Sequence, residues 1–157
     1  MDTLLIVGDG PVSAALAPMA ELLGWNPRSV ATLDDTLAAL PEAAAVVVLS
    51  HHDDVDSPVL AAALKTDLAY IGAMGSRRTQ TRRREWLDAN GFSEADQARI
   101  HGPAGIDIGA DGPPEIALSI LAELVSIVRG GEPGSLKDRS GPIHPGLEPG
   151  EAFCPEG

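Results

Sequence analysis

Short apolar runs alternate along this chain with longer stretches in which apolar residues recur every three or four positions. Leu4 to Val7 is the first run, uninterrupted and ending at Gly8, the pattern of a parallel strand buried on both faces. Val12, Leu16, Met19 and Leu23 follow at helical spacing, closed by Gly24, and predict a helix. Pro18 lies inside it, where a proline removes a backbone hydrogen bond at about 3 kcal/mol, so a kink is expected. A weak strand at Ser29 to Thr32 leads to a short helix from Asp34, its expected N-cap, to Leu40, stopped by Pro41. Ala45 to Leu49 is the strongest strand, rich in valine and free of charge. Ser57 as cap with Pro58 at the first helical position predicts a helix to about Lys65, and Leu68 to Ile71 a further strand.

Ser76 to Asn90 reads as a polar helix ended by Asn90-Gly91, and Ser93 with Asp96 as a capping box for a short helix through Arg99. Ile100-His101 is a short strand. The last helix has Asp111 or Gly112 as cap, Pro113 or Pro114 in its first turn, an apolar face from Ile116 to Val128, and Gly130 beyond its end. Residues 131–157 are rich in Gly and Pro without hydrophobic period, an expected extended or disordered tail. Strands alternating with helices imply right-handed crossovers, so residues 1–130 are expected to form one α/β domain, a doubly wound, Rossmann-like parallel sheet. Ligands bind such sheets outside the carboxyl ends of the strands. Four loops therefore matter: Gly8 to Val12, Ser50 to Ser57, Gly72 to Arg78 and Gly102 to Pro114.

Charge narrows the partners. The formal net charge of −12 repels phosphate backbones, which argues against a general nucleic-acid binder. Yet Arg77, Arg78, Arg82, Arg83 and Arg84 crowd into one segment. Cys154 stands alone and cannot form an internal disulfide, the first residues lack a basic apolar leader, and no run is long enough to span a membrane. A cytoplasmic protein is expected.

The first loop, Gly8-Asp9-Gly10-Pro11-Val12-Ser13, is a G-x-G-x-x-S after a strand and before a helix. Its glycines permit backbone to approach a pyrophosphate at the helix N-terminus, although Ser13 replaces the third glycine, Asp9 adds negative charge, and Asp34 and Asp35 come late for ribose. It is either a dinucleotide loop or a plain glycine turn. In the third loop Gly72, Gly75, Ser76, Arg77 and Arg78 combine turn glycines, a capping hydroxyl and guanidinium groups suited to an anion, while Arg82, Arg83 and Arg84 read as a solvated face. Ser50 and His51 follow the strongest strand. His51 is a ligand contact, an acid-base group or a surface residue, and because it alternates in direction with His52 no metal site is expected. In the fourth loop Gly105, Asp107 and Gly109 form either an anion nest or a capped turn, with Asp107 expected to be buried.

The stretches HHDDVDSPVLAAAL, YIGAMGSRR and GIDIGADGPPEIALSILAEL together resemble the Rossmann-like domain of the XdhC/CoxI family, accessory proteins of molybdenum-containing hydroxylases such as xanthine dehydrogenase. The resemblance implies a frequently dimeric protein that binds, protects or delivers molybdopterin cofactor to an apo-hydroxylase, with NAD(P) binding at the glycine loop. It also implies a separate N-terminal domain that this sequence lacks, to be supplied by another chain, and a Cys where Gly102 follows His101. The alternative is an NAD(P)-dependent oxidoreductase with His51 as acid-base residue.

Overall fold

The structure is a computed structural model and describes residues 1–144. Five strands form one parallel sheet: β1 (Thr3–Val7), β2 (Asn26–Val30), β3 (Ala45–Val48), β4 (Tyr70–Ala73) and β5 (Ile100–His101), in the order β2-β1-β3-β4-β5. The helices are α1 (Pro11–Leu22), α2 (Leu33–Ala39), α3 (Asp53–Leu64), α4 (Arg77–Ala89), α5 (Glu94–Gln97) and α6 (Pro113–Arg129). The expected doubly wound α/β architecture is present.

Period-two alternation in the strands feeds two cores. Leu5 and Val7 of β1, Val46 and Val48 of β3, and Ile71 of β4 face Val59, Leu60 and Ala63 of α3 and Leu87 of α4. Leu4, Ile6, Val47 and Tyr70 face the opposite layer, built from Leu16 and Ala20 of α1 and Ile120, Leu121 and Leu124 of α6. Since each large apolar side chain removed from water stabilises by roughly 1.5 to 3 kcal/mol, the valine and leucine runs fix both strand position and register.

Several local expectations are corrected. Pro18 lies within an unbroken α1 because the carbonyl it deprives of a partner belongs to Ala14, and both residues are exposed, where water serves instead. α2 is capped by Thr32, whose hydroxyl accepts from the Asp35 N–H at 3.1 Å, and Asp34 sits in its first turn. α3 begins at Asp53 behind His52, with Pro58 inside it. The Asp53, Asp54 and Asp56 carboxylates favour that earlier start through the helix dipole. β2 begins three residues earlier than expected and includes Pro27, which an edge strand tolerates. Gly130 ends α6 in the left-handed conformation, as expected, and the 131–144 segment is exposed with one short turn at Leu136–Asp138. Residues 145–157, including Cys154 and the rest of the expected tail, lie outside the described residues.

Candidate ligand cleft at the strand ends

Strand order reverses direction between β1 and β3, and a cavity of about 320 Å³ opens there. Its walls come from three loops and two helix starts: Asp9 to Ser13, Leu49 to His52, Met74, and Pro113 of α6. A second cavity of about 330 Å³ lies on the β2 side of the same glycine turn, between Gly8, Asp9, Ser13 and Ala17 and the β2 end at Ser29 to Ala31. Gly8, Asp9, Gly10, Pro11, Val12 and Ser13 thus all border this region, and Ser50 and His51 join them.

The close approach explains the first glycine. Gly8 has φ +129°, and a Cβ there would sit 3.0 Å from the Ser50 nitrogen and 3.1 Å from the Leu49 carbonyl carbon. Only a residue without a side chain lets β1 turn so near β3. Beyond it, α1 starts on Gly10 with no side-chain cap and with Pro11 in its first turn. The N–H groups of Val12 and Ser13 precede the first intrahelical bond, Ala14 N–H to Gly10 carbonyl at 3.1 Å, and so face outward. The Ser13 hydroxyl lies beside them: the residue is 5% exposed, and its buried oxygen has no hydrogen-bond partner among the described residues. Unsatisfied donors gathered at a helix start, where the dipole is positive, suit an anion.

Under the cleft floor lies a buried charge network around Arg83, a residue whose sequence context suggests a solvated face. Arg83 is buried, and its Nη2 donates to Asp56 Oδ2 at 2.9 Å. Its Nη1 donates to the Met74 carbonyl at 2.8 Å, and the Ser50 hydroxyl donates to Asp56 Oδ1. One ion pair therefore links α3, α4 and the loops after β3 and β4. Arg82, by contrast, is exposed and pairs with Asp53 at 3.4 Å. The signal for Arg83 was present in the spacing: Arg83 stands four positions before buried Leu87, and Asp56 three and four before buried Val59 and Leu60. Asp56 heads the apolar stripe of α3, and Arg83 shares the buried face of α4 with Leu87.

The third and fourth loops match expectation in part. Gly72 lies in β4 under the Tyr70 ring, whose hydroxyl a Cβ would meet at 2.6 Å, so its glycine serves packing. Ser76 caps α4 by accepting from the Thr79 N–H at 3.2 Å, and Gly75 precedes it. The Arg77 and Arg78 side chains are exposed, without partners among the described residues, and neither borders the cleft. Asp107 is exposed, not buried, as is Gly109, because the loop passes outward between β5 and α6. Gly105 is held inward, its N–H donating to Glu123 Oε1 at 3.0 Å. Among the described residues no group of three or more His, Cys, Asp or Glu side chains is placed to hold a metal ion.

Glu123 also escaped the sequence reading. It accepts from the Tyr70 hydroxyl at 2.7 Å, and its other oxygen lies 3.9 Å from His101 Nδ1, while His101 stacks on Tyr70 at 5.2 Å. This cluster pins the fourth loop to α6. Burial, then the bond to Glu123 and its negative charge, push the Tyr70 phenol far above its ordinary value. With the folded pKa raised, the stabilising contribution is complete below the unfolded value of about 10 and is lost as pH rises beyond it. Stability is expected to fall from this group by about 1.4 kcal/mol per pH unit above pH 10. Denaturant titrations of the wild type and Tyr70→Phe between pH 9 and about 11.5 measure it, and equal slopes would contradict the assignment.

A parallel sheet with a glycine turn at its switch point and a cleft above it defines a Rossmann-like domain. Residues 4–124 match the XdhC Rossmann domain, and the chain belongs to that family. Its sequence is 34% identical, over 79% of its length, to the molybdenum cofactor insertion chaperone PaoD of Escherichia coli (strain K12), and 32% identical, over 90%, to the uncharacterized protein YqeB of the same organism. It is 28% identical, over 78%, to a probable xanthine dehydrogenase subunit of Bacillus subtilis (strain 168). The chain spans 39%, 30% and 42% of these relatives respectively. A crystal structure described as a xanthine dehydrogenase from Bacillus halodurans superposes with a TM-score of 0.67 at 26% identity, covering 83% of this chain and 44% of that one.

Proposed function

We propose that this chain is an accessory protein of molybdenum-containing hydroxylases of the xanthine dehydrogenase type, which holds molybdopterin cofactor in the β1/β3 cleft before its transfer to the apo-enzyme. The observation that carries the reading is the family match over residues 4–124, a span containing every residue that lines the cleft. The donor set fits the group. Val12 N–H, Ser13 N–H and the unpartnered Ser13 hydroxyl suit the phosphate of the cofactor, and the predominantly apolar wall between them and Pro113 suits a flat heterocycle. When bound, the cofactor supplies the hydroxylase's redox chemistry; the chain's own residues orient it and shield it from water.

The test is a transfer assay. Cofactor released from a donor hydroxylase and incubated with this chain should co-elute with it in gel filtration and restore activity to an apo-hydroxylase. Ser13→Ala should weaken retention by about 10- to 150-fold, the loss of one hydrogen bond to a charged group at about 1.5 to 3 kcal/mol. Unchanged retention would remove Ser13 from the site. Arg77→Ala and Arg78→Ala should each weaken it less than about fivefold, since exposed charges contribute about 0 to 1 kcal/mol, and the effect should vanish in high salt.

The second cavity favours a rival reading, an NAD(P)-dependent oxidoreductase with the adenosine between β1 and β2 and His51 at the other end. Against it, Ala31 stands at the β2 end where a ribose-binding carboxylate would be needed, and Asp34 and Asp35 do not border that cavity. Thermal shifts with NADH, NADPH and molybdopterin cofactor separate the two, because a ligand bound by the native state alone raises the melting temperature. The proposal includes a homodimer acting in the cytoplasm, whose oligomeric state sedimentation tests and whose location cell fractionation tests. No described helix is long and apolar enough to cross a membrane.

A further inference from the structure

Ser50 lines the cleft and is 9% exposed. Its hydroxyl donates to Asp56 Oδ1, and Asp56 is fully buried with its other oxygen held by Arg83 Nη2 at 2.9 Å. A carboxylate paired to a guanidinium offers acceptors and no donor. The direction of the Ser50 bond is thereby fixed, because the single hydroxyl hydrogen must point inward to Asp56. What remains for the cleft is lone pairs.

We infer that Ser50 is an obligate hydrogen-bond acceptor that selects, within the cofactor cleft, for a ligand presenting an N–H or O–H group at that end. The buried ion pair is then a positioning device: Arg83 and Asp56 set the polarity of a hydroxyl they hold from below. The cleft acquires two unlike ends. Donors at the start of α1, the N–H groups of Val12 and Ser13 and the Ser13 hydroxyl, face an anion. Ser50 at the end of β3 faces a donor and leaves a carbonyl, carboxylate or phosphate oxygen unpaired against its lone pairs, which is repulsive in a site shielded from water. The ligand class is an anionic molecule whose other end is an amino-substituted heterocycle or a primary amide. This assignment rests on the reading of the cavity as a cofactor cleft.

Two matched pairs of probes test it by titration calorimetry. Pterin-6-carboxylate and lumazine-6-carboxylate differ in an amino group replaced by a carbonyl; NAD⁺ and 3-acetylpyridine adenine dinucleotide differ in an amide NH₂ replaced by methyl. The wild type is expected to bind the NH₂-bearing member of a pair about tenfold or more tightly, a discrimination of about 1.4 kcal/mol. Ser50→Ala should bring the two members within about twofold, and Ser50→Thr, which keeps the hydroxyl, should keep the preference. Melting curves of both variants confirm that they fold. Binding of either pair without preference, or a preference that survives in Ser50→Ala, overturns the role of Ser50 and leaves the cleft assignment standing. Failure of the wild type to bind any of the four probes overturns the cleft assignment and this inference with it.

Discussion

Asp56→Ala is expected to lower folding stability by about 3 to 5 kcal/mol, the cost of leaving a buried charge without its partner. Arg83 would remain buried, with Nη1 on the Met74 carbonyl and Nη2 facing no carboxylate, and its Nε has no partner among the described residues even in the wild type. Typical domains hold only about 5 to 15 kcal/mol in total, so this single change removes a large part of the margin. For a chain of this length the melting temperature should drop by roughly 6 to 20 °C. Arg83→Met should cost a similar amount, because Asp56 would keep only Ser50. The double variant Asp56→Leu with Arg83→Met should recover most of the loss, since replacing both charges by apolar groups removes the desolvation cost together with the attraction. Denaturant unfolding of the four proteins measures this. A loss below about 1 kcal/mol in either single variant would show that water screens the pair.

Gly8→Val is the second large effect, at about 2 to 6 kcal/mol. One part is conformational: φ +129° is a backbone region that a β-branched residue scarcely enters, costing about 1 to 3 kcal/mol. The other is steric. The new Cβ would stand 3.0 Å from the Ser50 nitrogen and 3.1 Å from the Leu49 carbonyl carbon, backbone atoms that cannot rotate away, and overpacking of this kind costs about 1 to 3 kcal/mol. Gly10→Ala provides the contrast. Gly10 has φ −80°, and an added methyl would find nothing within 4 Å, so its replacement should change stability by less than about 0.5 kcal/mol. Equal losses at the two positions, read from denaturant midpoints, would refute the distinction between a packing glycine and a cleft-lining one.

Much of the architecture was legible because parallel strands buried on both faces must be continuous in Val, Ile and Leu. Leu4 to Val7 and Ala45 to Val48 could be placed from that alone. The capping box at Ser93 and Asp96 and the left-handed Gly130 were equally local, each set by one side chain or its absence. Boundaries failed where a tertiary partner outweighed a local signal. Ser57-Pro58 carries a strong start signature, yet α3 starts at Asp53, and part of the reason is distant in sequence: Asp56 must reach Arg83 on α4.

The candidate site divides along the same line. The amino-acid order by itself determined that the loops following the strands would gather at one end of the sheet, since parallel strands send every carboxyl end the same way, and that Gly8 to Ser13 would stand among them. It did not determine which arginine would be buried. Arg77, Arg78 and Arg83 share one helix and differ only in the direction that the helical turn gives them, and that direction has meaning only once α4 packs on α3. Packing turned Arg83 inward to Asp56 and left Arg77 and Arg78 in water. Helical period is a local property, but which face of a helix meets the core is decided by the elements around it.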